Sequence, residues 1–123
     1  MENGAPRMRP EELVHHLRRQ RYRVGQEIWL QDDIEASLRF LQIAFEREAR
    51  MTARDRIDFL VEGGIGIEAK TRCPPRQIFR QLERYAEQDA IASLILITGT
   101  AMGLPDAVKG KPLFLVSTGR ASL

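Results

Sequence analysis

Asp55-Arg56-Ile57-Asp58-Phe59-Leu60-Val61-Glu62-Gly63-Gly64-Ile65-Gly66-Ile67-Glu68-Ala69-Lys70 decides how this chain is read. Two runs of β-forming residues flank a glycine pair, the pattern of a hairpin. Side chains alternate along a strand, so Ile57, Phe59 and Val61 are expected on one face and Asp58 and Leu60 on the other. On the second strand Ile65, Ile67 and Ala69 share a face, and Gly66, Glu68 and Lys70 share the opposite one. A two-residue Gly63-Gly64 loop would oppose Val61 to Gly66 and set apolar side chains against polar ones. A three-residue loop, Glu62-Gly63-Gly64, opposes Val61 to Ile65, Phe59 to Ile67 and Asp58 to Glu68. It keeps one face apolar and places glycine where a left-handed backbone is needed. The three-residue loop is therefore the expectation.

That register makes Asp58 and Glu68 cross-strand neighbours, with Cβ atoms ~5 Å apart. Two carboxylates so close repel unless positive charge lies between them. A hard divalent cation suits such a pair, and Mg²⁺ is commonly held by one or two carboxylates together with water and phosphate. Lys70 points to the same side, ~6–7 Å further along the strand. An ammonium there can orient a water or neutralise charge on a phosphoryl oxygen. The competing reading is an Asp-Glu-Lys trio on the wet face of a hairpin.

The flanking sequence supplies the rest of a domain. Pro10 suits the first position of a helix over 10–20, with Glu11 and Glu12 in its first turn and Leu13, Val14 and Leu17 as its apolar stripe. A second helix begins near Gly25; Ile34, Leu38, Leu41 and Phe45 mark one face, which extends backwards through Gln31 to Glu27. Glu27 is thus an acid that can point at a site, with Glu35 as its rival. Residues 45–52 alternate apolar and charged residues and read as an edge-like strand. Pro74-Pro75 opens a helix over 76–89 with Ile78, Phe79, Leu82, Tyr85 and Ala86 inward. Gln81 and Tyr85 lie one turn apart at the rim of that stripe. Arg72, Arg76, Arg80 and Arg84 form a basic run around it, a ridge suited to a phosphate backbone or to pairing with Glu83 and Glu87. Residues 92–98 form an unbroken apolar strand, expected parallel to 65–70 after a right-handed crossover. A loop over 99–110 with a short helical turn at 105–108 precedes a last strand over 112–117, expected near the sheet edge.

Asp58, followed by a strand ending in Glu68-Ala69-Lys70, resembles the PD-(D/E)xK nuclease superfamily. Ile57 stands where that family commonly has proline. Gln81-Leu82-Glu83-Arg84-Tyr85 matches the Gln-x-x-x-Tyr that many members carry on the next helix. The resemblance covers roughly residues 25–99 and implies an α/β fold of restriction-endonuclease type: a mixed central sheet with flanking helices in the core order αβββαβ. It implies Asp58 and Glu68 as metal ligands, the Ala69 carbonyl as a further ligand, and Lys70 as the residue assisting the attacking water. Gln81 and Tyr85 would border the site, Glu27 most resembles the additional acid supplied by the preceding helix, and Mg²⁺, replaceable by Mn²⁺, would be the cofactor. The implied activity is metal-dependent hydrolysis of phosphodiester bonds in DNA. Two alternatives stand beside it: a non-catalytic nucleic-acid-binding or scaffolding module on the same fold, and a DNA-junction-resolving endonuclease acting as a homodimer, since a symmetric pair of sites cuts two strands most simply.

Composition is compatible with these readings. The chain of 123 residues supports one domain, here residues 10–118 between a flexible start, 1–9, and a tail, 119–123. Net charge is only +2, but Lys70, Lys109 and Lys111 are the only lysines among 19 basic residues, and arginine grips phosphate with two parallel hydrogen bonds. Cys73 is the single cysteine, which excludes an internal disulfide or cysteine-rich zinc site and suits a cytoplasmic setting. No apolar run is long enough to span a bilayer and residues 1–10 have no secretory pattern, so no membrane association is expected.

Overall fold

The computed structural model describes residues 8–118, so the expectations for residues 1–7 and 119–123 lie outside it. Helices α1 (Pro10–Arg18) and α2 (Glu27–Phe40) precede strands β1 (Phe45–Arg50), β2 (Arg56–Val61) and β3 (Ile65–Lys70). Helix α3 (Pro75–Ala86) and strands β4 (Ser93–Thr98), β5 (Ala107–Val108) and β6 (Lys111–Ser117) complete the chain. The fold is α/β: one six-stranded mixed sheet in the order β1-β2-β3-β4-β6-β5, with helices on both faces. Among the described residues no helix is long and apolar enough to cross a membrane.

The hairpin has the expected register. Val61 opposes Ile65 and Phe59 opposes Ile67 across a loop at Glu62-Gly63-Gly64. Both glycines take positive φ, 87° and 78°. Gly64 is doubly constrained, because a Cβ there would lie 2.9 Å from the Ala90 carbonyl oxygen, where the chain passes into β4. Strand β4 runs parallel to β3, as a helical crossover requires. The last strand, β6, lies inside the sheet edge, parallel to β4. Its outer neighbour is β5, where the sequence suggests a helical turn. Lys109 and Gly110 both adopt positive φ (51° and 77°), which closes Ala107–Val108 onto β6 as a tight hairpin.

Two cores sandwich the sheet. On one side α1 and α2 bring Leu13, Leu17, Leu30, Ile34 and Leu38 against Phe59, Val61, Ile67, Ile95 and Ile97. On the other, Ile78, Leu82 and Tyr85 of α3 pack on Ile57, Leu94 and Leu96. Burying each such aliphatic side chain is worth ~1.5–3 kcal/mol, which is what holds the helices to the sheet.

Ile57 corrects the simple alternation. It belongs to the α3 core, whereas Phe59 and Val61 belong to the α2 core. Strand β1 changes phase at the same level: Phe45 packs with Phe59, but Ala49 packs with Ile57. Arg47 opposes Phe59 and Ala49 opposes Ile57, so the residue between them, Glu48, is level with Asp58. Glu48 has φ +57°, a left-handed conformation uncommon outside glycine. One residue of reversed backbone lets both strands roll together and puts Asp58 where neither core claims it.

Candidate active site

Asp58 is 8% exposed and Glu68 2%, both deeper than surface carboxylates ordinarily lie. The β2–β3 backbone ladder stops at Phe59–Ile67, and beyond it the two acids bridge the strands. Asp58 N–H donates to Glu68 Oε1 at 3.3 Å, and Ala69 N–H donates to Asp58 Oδ2 at 2.8 Å. Side chains thus replace backbone pairing at the level where the register brings the acids together.

The remaining oxygens point to different helices and loops. Asp58 Oδ1 accepts from the Gln31 Nε2 amide of α2 at 3.1 Å. Glu68 Oε2 lies 3.3 Å from Lys70 Nζ. Lys70 itself is braced from β4, where the buried Thr98 hydroxyl donates to the Lys70 carbonyl at 2.7 Å. Burial pushes the Asp58 carboxyl above its usual range; the Ala69 N–H and Lys70 oppose the shift, and the Glu27 and Glu48 carboxylates add to it. Burial, then the Asp58 charge, also pushes Glu68 up, against the pull of Lys70. For Lys70, burial works downward but is outweighed by Glu68, Glu27 and Asp58, so its pKa rises and it remains an ammonium.

Glu27 and Glu35 separate cleanly. Glu27, the first residue of α2, accepts from Thr71 N–H at 3.4 Å, just beyond Lys70. Glu35 faces Arg39 and Arg47 at 2.8 Å each, and Arg47, then Arg39, hold it below the usual carboxylate range. Gln81 lines an open cleft of about 550 Å³ over Lys70, together with Pro74, Gln77, Arg76, Arg80 and Arg84. Arg84 is paired, its Nε donating to Asp55 at 3.1 Å, whereas among the described residues neither Arg76 nor Arg80 forms an ion pair. Arg72 is exposed and outside the cleft lining. Tyr85 lies beneath the acids, fully buried, and its hydroxyl donates to the Arg56 carbonyl at 2.9 Å. Burial and the nearby Glu68 and Asp58 charges raise its pKa, so it is a neutral phenol.

Gln31 is the site residue that the sequence marks without giving it a role. It extends the Ile34–Leu38 face by one turn and is 9% exposed. Arg47, which touches Gln31 Oε1 at 3.2 Å, carries no such signal, because nothing in an alternating strand says which cation meets which helix.

Two carboxylates, the neighbouring Ala69 carbonyl and a nearby third acid are hard oxygen donors, the kind that suit Mg²⁺ or Mn²⁺. The mutual repulsion of Asp58 and Glu68 is what a cation there would relieve. Among the described residues, no three His, Cys, Asp or Glu side chains already converge tightly enough to form a complete metal cluster. No family model, curated protein or solved structure matches this chain.

Proposed function

We propose that this chain is a metal-dependent nuclease that hydrolyses phosphodiester bonds in DNA, built on a restriction-endonuclease-like αβββαβ core. The observation that carries the reading is the burial of Asp58 against Glu68 at the point where their strands part, with Lys70 beside them and an arginine-lined cleft above. The run α2-β1-β2-β3-α3-β4 supports the fold assignment.

Asp58, Glu68 and the Ala69 carbonyl are the residues to hold Mg²⁺ or Mn²⁺, with Glu27 adjoining. When bound, the ion supplies Lewis acidity toward a phosphoryl oxygen and a more acidic water. Lys70, kept charged by three carboxylates, has no lone pair with which to take a proton. Its part is to donate to the attacking water or to the phosphoryl oxygen on which charge grows. Arg76 and Arg80, which line the cleft together with Gln81 and Lys70, are the residues to meet the phosphate backbone. Tyr85 acts from below, fixing the α3–β2 contact under Glu68 rather than touching DNA.

Incubation with single-stranded, duplex and branched DNA in Mg²⁺ or Mn²⁺ tests the proposal. Cleavage is expected from wild type and none from Asp58→Ala; equal cleavage by both would sink it. One observation favours the non-catalytic binding module instead: every oxygen of Asp58 and Glu68 already has a partner within the chain. Titration calorimetry separates the two, since the module binds DNA without taking up Mn²⁺.

A further inference from the structure

Arg47 stands on the edge strand, away from the arginine-lined cleft, yet it is the most heavily engaged cation among the described residues. Its Nη1 meets Asp32 at 2.9 Å and Glu35 at 2.8 Å, its Nη2 donates to Gln31 Oε1 at 3.2 Å, and its guanidinium lies over the Phe59 ring at 5.7 Å. The contact with Gln31 links it to the site, because the other end of that carboxamide donates to Asp58 at 3.1 Å.

A carboxamide has one donating end and one accepting end. Here the two ends face partners of opposite kind. Arg47 can only donate, and an ionised Asp58 can only accept. If the amide turned over, its oxygen would face a carboxylate and its NH₂ a guanidinium, so both contacts would become repulsive. Gln31 is also buried among α2 core residues, which limits its contact with water. The guanidinium in turn is held by two acids of α2 and by the Phe59 ring, so it cannot swing aside. Asp58 needs such a guide. Its strand changes phase beside it and the Ala69 N–H holds only Oδ2, so the direction of Oδ1 is left to Gln31.

We propose that Arg47 is a positioning residue for Asp58: through the Gln31 carboxamide it sets the direction in which the Asp58 carboxylate presents its second oxygen. The mechanical part stands on the contacts alone; its consequence for catalysis rests on the nuclease reading above. Residues that orient a metal ligand from behind change metal affinity or turnover by ~10–100-fold when removed. Arg47→Met is expected to fall in that range in kcat and in Mn²⁺ affinity, with KM for DNA nearly unchanged because Arg47 lies outside the cleft. If Arg47 acts through Gln31, adding Arg47→Met to Gln31→Met should cause little further loss.

The experiment pairs that double-mutant cycle with ¹H–¹⁵N spectra of the Gln31 side-chain amide, each protein being checked for folding by urea denaturation. In wild type the two amide protons should be distinct and protected from exchange; in Arg47→Met they should lose protection while the backbone spectrum is kept. Unchanged Gln31 amide signals in folded Arg47→Met would overturn the proposal, as would fully additive losses in the cycle. A wild type that neither cuts DNA nor takes up Mn²⁺ would overturn the nuclease reading instead, and the amide spectra would then decide Arg47's role by themselves.

Discussion

Replacing Glu68 by glutamine should make the metal-free protein more stable in alkaline solution and leave it no more stable in acid. Glu68 is 2% exposed, and burial followed by the Asp58 charge raises its pKa from 4.5 to about 8. Below pH 4.5 the folded and unfolded chains both carry the proton and the group contributes nothing to the pH dependence. Between pH 4.5 and 8 the folded state binds more protons than the unfolded one, so stability falls as pH rises. The full displacement corresponds to roughly 5 kcal/mol at 1.4 kcal/mol per pH unit. Domains of this size hold only ~5–15 kcal/mol in total, so the carboxylate must relax toward Lys70 and the cleft, and a loss of about 2–4 kcal/mol is the expected figure. Glutamine never ionises. Its oxygen can still accept from Asp58 N–H, but its NH₂ then faces the Lys70 ammonium, donor against donor, where the protonated acid can still offer an accepting oxygen. Hence Glu68→Gln should match or fall slightly below wild type at pH 5 and exceed it by about 2 kcal/mol or more at pH 8.5. Urea denaturation at pH 5, 7 and 8.5 measures this, and Mn²⁺ at pH 8.5 should stabilise wild type but not the variant. A wild-type-minus-variant difference that stays flat from pH 5 to 8.5 would show that Glu68 is not buried against Asp58, and the argument for a metal-dependent pair would go with it.

Two further outcomes follow from the cleft and the hairpin. Arg76→Ala with Arg80→Ala should weaken DNA binding alike for all sequences and reduce the slope of log K against log salt by about 2 on duplex DNA, as fluorescence anisotropy across a salt series will measure. Gly66→Ala should destabilise the fold by about 1–3 kcal/mol in thermal or urea unfolding, as overpacking does. Its Cβ would lie 2.5 Å from Ile57 Cδ1 and 2.9 Å from Ile91 Cδ1, so the ends of both isoleucine side chains must shift within a packed core.

Much of this fold is legible in the sequence because local rules and global packing agree. Matching apolar faces forces the Glu62-Gly63-Gly64 loop, and its register, kept as far as Phe59–Ile67, leads Asp58 within hydrogen-bonding reach of Glu68. The parallel β3–β4 pairing follows from the helix between them. Other features escape pattern reading. A helical turn at 105–108 is the expectation where β5 stands, because Lys109 carries no outward sign that it will adopt φ +51°. Alternation also predicts Ile57 beside Phe59, and the phase change at Glu48 breaks it. Tyr85 falls on the expected helix face, but a small rotation of the helix separates a rim residue from a buried one, and periodicity does not resolve that difference. The Arg47–Gln31 contact joins residues 16 apart across a helix and a strand, which no local spacing rule reaches.

The phase break at Glu48 and Asp58 ties these features together. A strand that alternated regularly would commit Asp58 to the α3 core, behind Leu60 and away from α2. By rolling at that point, β2 lets Asp58 reach Gln31 of α2 while it still accepts from the Ala69 N–H of β3. Glu68 keeps the regular alternation of β3, level with Leu96 of the α3 core. The two carboxylates therefore meet from different layers of the protein. A left-handed non-glycine residue costs about 1–3 kcal/mol, and two buried acids cost more. No core or helix in this fold needs that arrangement for its own packing. An apolar pair at 58 and 68 would avoid burying charge but would leave the N–H groups of residues 58 and 69 without acceptors, so the acids bridge the strands and at the same time hold together two charges that a bound cation would balance.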